Sequence, residues 1–93
     1  MNKEEAVEIA EKELEKFRAL SYEEIASKIG KQENFEYSTE KGEPYRVEVD
    51  VFYDDSEDQN IRVISMISYS FWTDISPVSS GFIVAPDGRF VGE

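Results

Sequence analysis

Hydrophobic residues recur at helical spacing at the start of the chain and at every second position later on, and this change of period divides the sequence. Val7, Ala10, Leu14 and Phe17, widened by Ala6 and Ile9, make one apolar stripe and predict a helix over residues 3–19. Asn2 stands where an N-cap belongs, with Glu5 three residues on. Glu4 and Glu5 lie near the positive end of the helix dipole, Lys16 and Arg18 near the negative end. Ser21-Tyr22-Glu23-Glu24 reads as a capping box opening a second, short helix, with Leu20 and Ile25 placed as a hydrophobic staple. Tyr22, Ile25, Ala26 and Ile29 form its apolar side, and Gly30 ends it.

From Gln32 the period is two. Phe35 and Tyr37 belong to a first strand, closed by a turn at Lys41-Gly42. Tyr45, Val47, Val49, Val51 and Tyr53 alternate with Arg46, Glu48, Asp50 and Phe52 to give a strand with one core face and one largely wet face. The polar run 54–60 is a loop. Ile61 to about Phe71 reads as a third strand, broken at Ser76-Pro77, and 82–84 as a short fourth strand before the turn Pro86-Asp87-Gly88. Because the loop 54–60 has odd length, residues of like parity should face each other: Val51 opposite Val63, Val49 opposite Ser65, Val47 opposite Ile67. The other side of this hairpin then carries Phe52, Ile64 and Met66, an apolar patch on an otherwise polar face and hence a candidate contact surface. Trp72 is a candidate binding residue, although a core position explains it better.

Helices followed by a run of strands is the α+β pattern: two N-terminal helices packed on one face of a four-stranded, mostly antiparallel sheet. A curved sheet wrapping the first helix, as in cystatin-like folds, is one form this could take. No repeat or linker divides the 93 residues, so one domain is expected.

Composition narrows the chemistry. The formal net charge is −11, from 21 acidic and 10 basic residues. Such a chain repels nucleic acid and anionic lipid; the charge reads first as a source of solubility. The absence of cysteine and histidine excludes disulfides, Cys/His zinc sites and histidine acid–base catalysis. With no apolar leader at residues 1–17 and no membrane-length apolar run, a cytoplasmic location is expected.

The acidic run 54–58 invites comparison with a calcium loop. Counting from Asp54, the sixth position is Gln59 instead of glycine and the twelfth is Ser65 instead of glutamate, so the match fails at both decisive places. Asp50, Glu48 and Asp74 could pair as carboxylates, but among 21 acids nothing singles them out. Gly42, Gly81, Gly88 and Gly92 follow no phosphate-cradling spacing and read as turn residues. Ser65, Ser68, Ser70 and Ser76 have no identifiable partner base. No catalytic, metal or cofactor-binding residue is assigned, and no cofactor is expected.

Gly42-Glu43-Pro44-Tyr45-Arg46-Val47-Glu48-Val49, Ile61-Arg62-Val63 and the segment from Phe82 through Pro86-Asp87-Gly88-Arg89-Phe90-Val91-Gly92-Glu93, together with Leu20-Ser21-Tyr22-Glu23-Glu24-Ile25, resemble a group of small prokaryotic proteins without an assigned activity. The resemblance implies a bacterial or archaeal cytoplasmic origin and carries over no functional residue. It departs from the group's pattern after the third strand, where Ser68-Tyr69-Ser70-Phe71-Trp72 replaces an Asp-Gly-rich segment.

These features point to a small acidic interaction module, self-associating through the sheet face around Phe52, Ile64 and Met66 or binding another protein. Two alternatives stand beside it: a ligand-binding protein or enzyme with its pocket between sheet and helices, for which the sequence offers Glu13 near the helix stripe, a residue that a rim position explains as well, and an acidic inhibitor of a basic protein.

Overall fold

The computed structural model describes residues 1–69 and 77–92. Its elements are α1 (Lys3–Arg18), α2 (Tyr22–Ala26), β1 (Glu33–Ser38), β2 (Pro44–Tyr53), β3 (Ile61–Ser68) and β4 (Val78–Val84). The strands form one antiparallel sheet in chain order, β1-β2-β3-β4, with both helices on one side of it. This is the α+β architecture that the change of period implies.

Local signals are used as written. The Asn2 side chain accepts a hydrogen bond from the Glu5 amide at 2.9 Å, capping α1. The Ser21 capping box is complete: its hydroxyl accepts from the Glu24 amide, and the Glu24 carboxylate accepts from the Ser21 amide. The C-cap of α1 at Ala19 and the N-cap of α2 at Ser21 stand two residues apart, so the chain turns there instead of continuing as one rod.

The register between β2 and β3 pairs Val51 with Val63, Val49 with Ser65 and Val47 with Ile67. Those residues, with Ile61, Phe82 and Val84, point to the helix side and are buried. Ala6, Ala10, Leu14 and Phe17 of α1 and Ile25 of α2 complete the core. Val7, expected in the stripe, is 38% exposed. The buried line runs through 6, 10, 14 and 17, and Val7 sits on its flank, toward the side where Glu11 and Arg18 project.

That flank grips the far edge of the sheet. Ser80 of β4 donates to the Glu11 carboxylate. The Arg18 guanidinium lies 4.6 Å from the Phe82 ring centroid and 4.9 Å from that of Phe90. The two rings meet edge to face at 5.4 Å, a geometry that ring quadrupoles favour. Phe90 is held there by a tight C-terminal hairpin, in which the Ala85 amide donates to the Arg89 carbonyl and the Val91 amide to the Ile83 carbonyl.

Two expectations need correction. The fourth strand is longer than residues 82–84, because Val78, Ser79, Ser80 and Gly81 extend it and pair with residues 64–67. Gly81 is therefore a strand residue, not a turn residue. The third strand ends at Ser68, short of Phe71, which lies outside the described residues together with Ser70, Trp72, Asp74 and Ser76.

One polar residue lies in the core. Ser65 is fully buried, and its hydroxyl has no hydrogen-bond partner among the described residues. A buried, unpaired hydroxyl costs free energy on folding. Ser65→Ala should therefore raise unfolding stability by about 1 kcal/mol, seen in urea titration as a higher midpoint with an unchanged slope.

Candidate functional site

The sheet face away from the helices holds the sequence-predicted residues. Alternation places Arg46, Glu48, Asp50 and Phe52 of β2 on it, with Arg62, Ile64, Met66 and Ser68 of β3 and Ser79, Gly81 and Ile83 of β4. Ile64 is the centre. Met66 lies two residues along the same strand, Phe52 and Ile83 are its diagonal neighbours, and Gly81 is directly beside it. Phe52 is 40% exposed, while Ile64 and Met66 are half-buried by their neighbours in the sheet. Trp72 lies outside the described residues. No described helix covers this face.

Gly81 gives the patch its shape. A Cβ built there would sit 2.7 Å from the Val63 carbonyl oxygen and 3.3 Å from Ile64 Cγ1, so β3 and β4 approach closely only because the side chain is missing. The result is a hollow bordered by Arg62, Ile64, Ser79, Ile83 and Val91. Sequence reading missed it because Ser79-Ser80-Gly81 carries no strand signal of its own.

The face is close to neutral. Across the four strands it carries Arg46 and Arg62 against Glu36, Glu48 and Asp50, in a chain whose net charge is −11. Most of the surplus acid lies elsewhere, on the helices and in the loop 54–60.

A second uncovered region lies on the helix side, over β1. Phe35 and Tyr37 point toward α1 yet remain 39% and 41% exposed. Their rings are 6.1 Å apart, and Tyr37 lies 5.6 Å from Tyr45. Between this stripe and the near flank of α1 runs a cleft of about 370 Å³, walled by Glu13, Lys16, Phe17, Leu20, Lys28 and Glu33. Its charges are paired: Lys16 donates to Glu13 at 3.0 Å and Lys28 to Glu33 at 3.4 Å. The hydrogen bond to Glu13 holds the Lys16 ammonium above the usual lysine range, with the attraction of the same carboxylate adding to it. Glu13 is thus a partner of Lys16 at the cleft wall.

The acidic loop is organised by its own bonds. Asp54 accepts from Arg62 Nε at 2.8 Å. Asp55 accepts from the Asp58 amide at 2.8 Å and from the Asn60 side chain at 3.3 Å. Gln59 adopts a left-handed φ of 56°, which turns its carbonyl to accept the Tyr22 hydroxyl at 2.6 Å. Burial pushes the Tyr22 phenol above its ordinary value. No described cluster of three or more carboxylates could hold a metal ion, and no described helix is long and apolar enough to cross a membrane.

Comparisons of the chain with protein-family models, with curated proteins and with solved structures give no match. The outer face and the aromatic cleft therefore have to be read from their own chemistry.

Gly81→Ala tests whether close approach shapes the outer face. The backbone carbonyl it would strike cannot swing aside, so destabilisation of about 1–3 kcal/mol is expected in urea unfolding; an unchanged midpoint would show that the strands can part.

Proposed function

We propose that this protein is a non-enzymatic interaction module that associates with a second copy of itself through the outer sheet face. The observation that carries the reading is the apolar cluster of Phe52, Ile64, Met66 and Ile83 on a face without a described covering element. Sheets stack face to face about 10 Å apart by interdigitating such side chains, and the hollow at Gly81 offers room for one from the opposite sheet.

Charge selects the face as well as the occupant. Two copies carrying −11 each repel, and contact is least costly where the local balance is near zero. Arg46 and Arg62 lie among Glu36, Glu48 and Asp50 on the outer face, Arg62 also bonding Asp54, so charges of both signs are interspersed where two copies would meet. A basic partner would have no reason to prefer this near-neutral surface.

Met66→Glu places a carboxylate beside Ile64 and opposite Glu48. It should at least halve the molar mass measured by light scattering at fixed concentration, with the circular dichroism spectrum preserved. A mass that does not change on substitution would rule out the outer face as the contact.

A further inference from the structure

The two edges of the sheet are treated differently. The β4 edge is partly closed by the C-terminal hairpin through the Val84–Phe90 bridge and the Val91 amide. The β1 edge has no paired strand among the described residues. Its six residues, Glu-Asn-Phe-Glu-Tyr-Ser, contain no proline, no lysine and no left-handed residue, and their register with β2 is unbroken. Edge strands are ordinarily blunted by such devices, because a row of unpaired amides and carbonyls is a template for another strand.

The direction of that row follows from the turn. The Thr39 amide donates to the Glu43 carbonyl at 2.8 Å. By antiparallel alternation the polar backbone groups of residues 33, 35 and 37 also face β2, and those of Asn34, Glu36 and Ser38 face outward.

We infer that β1 pairs antiparallel with β1 of a second copy, in a register centred on Phe35, to give one continuous eight-stranded sheet. Registers centred on a residue keep the helix sides of both sheets together. Centring on Glu36 sets two glutamates directly opposite each other, which is destabilising. Centring on Asn34 or Tyr37 leaves half of each strand without a strand partner. Centring on Phe35 pairs Asn34 with the partner's Glu36, Glu33 with the partner's Tyr37 and Gln32 with the partner's Ser38; no like charges stand directly opposite, and the two Glu36 side chains are diagonal neighbours about 7–8 Å apart. The outward-facing residues become the hydrogen-bonded pairs, and the two Phe35 rings, each 39% exposed in the single chain, cover one another.

Area supplies a second argument, one that rests on the outer-face reading. Four strands at about 4.8 Å spacing and eight residues at about 3.4 Å span roughly 400–500 Å². A stable interface takes about 800 Å² from each partner. A joined sheet of eight strands doubles the outer face and reaches that size. The dyad of the edge contact is normal to the sheet and that of the face contact lies between sheets, so both close within a single assembly of four chains.

The chain has no cysteine, so a single Phe35→Cys substitution reports on the dyad. Residues directly opposite in a non-hydrogen-bonded pair have Cα atoms about 4.5 Å apart, within disulfide range. Under mild oxidation the variant should form a covalent dimer, reversed by reductant, roughly tenfold or more faster than Glu8→Cys on the exposed side of α1. Tyr37→Cys and Glu36→Cys should link at the slow rate. Running the same series in the Met66→Glu background removes the outer-face contact, so failure of that reading leaves the edge result legible. A Phe35→Cys rate equal to that of Glu8→Cys overturns edge pairing, and faster linkage at position 36 or 37 overturns the register. Adding Glu36→Pro, which removes an outward amide, should return the Phe35→Cys variant to the slow rate; an undiminished rate would overturn pairing through these groups.

Discussion

A helix is about 10 Å across, and four strands spaced about 4.8 Å apart present a face nearly twice as wide. One helix of sixteen residues therefore covers two strands, and most of what is distinctive in this molecule follows from which two. α1 lies over β3 and β4. The choice is fixed by its flank: Glu11 meets Ser80, and Arg18 stacks on Phe82 and Phe90, so the helix is tied to the β4 edge at its middle and at its C-terminal end. Ile25 of the short helix α2 is buried in the same core. What remains over β1 is left to Phe35 and Tyr37, which no described helix covers fully.

The same limit bears on charge. A chain of 93 residues has little surface to spare, and 21 carboxylates must be kept apart from one another and from the core. Twelve of them lie on α1, on α2 and in the loop 54–60, where Asp54 accepts from Arg62 of β3 and Asp55 from the loop's own Asp58 and Asn60. This distribution leaves the outer sheet face with a near balance of arginine and carboxylate. Most of the surplus acid and the apolar cluster thus lie on different surfaces.

Much of this was legible in the sequence, for identifiable reasons. The register of β2 on β3 could be read because a seven-residue loop fixes parity and a one-residue slip would turn every valine to the wrong face. The capping box could be read because its two hydrogen bonds involve residues three apart. What could not be read depends on contacts distant in sequence. Ser79-Ser80-Gly81 has weak strand propensity and becomes part of β4 because its partners in β3 supply the pairing. Arg18 looks in the sequence like a charge placed for the helix dipole, and nothing local marks it as the residue that fastens the C-terminal hairpin. Of the candidate contact residues, Phe52, Ile64 and Met66 follow from alternation alone, whereas the hollow beside them requires knowing that Gly81 lies opposite Ile64.

Gly81 and β1 also show two ways in which a sheet can be left incomplete. At Gly81 a missing side chain lets β3 and β4 come together and leaves a depression in the face. At β1 a complete strand stands with no strand paired to its outer row of backbone groups among the described residues. Both are costs to a monomer: the first gives up packing, the second exposes aromatic rings and unpaired amides to water. A domain of this size has little stability to lose. The β1 edge strand carries two aromatic rings, with Glu33 and Glu36 but no proline, lysine or bulge, while the opposite edge is closed by an arginine, two phenylalanines and a dedicated hairpin. Such asymmetry within a single sheet follows if the exposed edge and the depressed face are finished by contacts that the single chain does not supply.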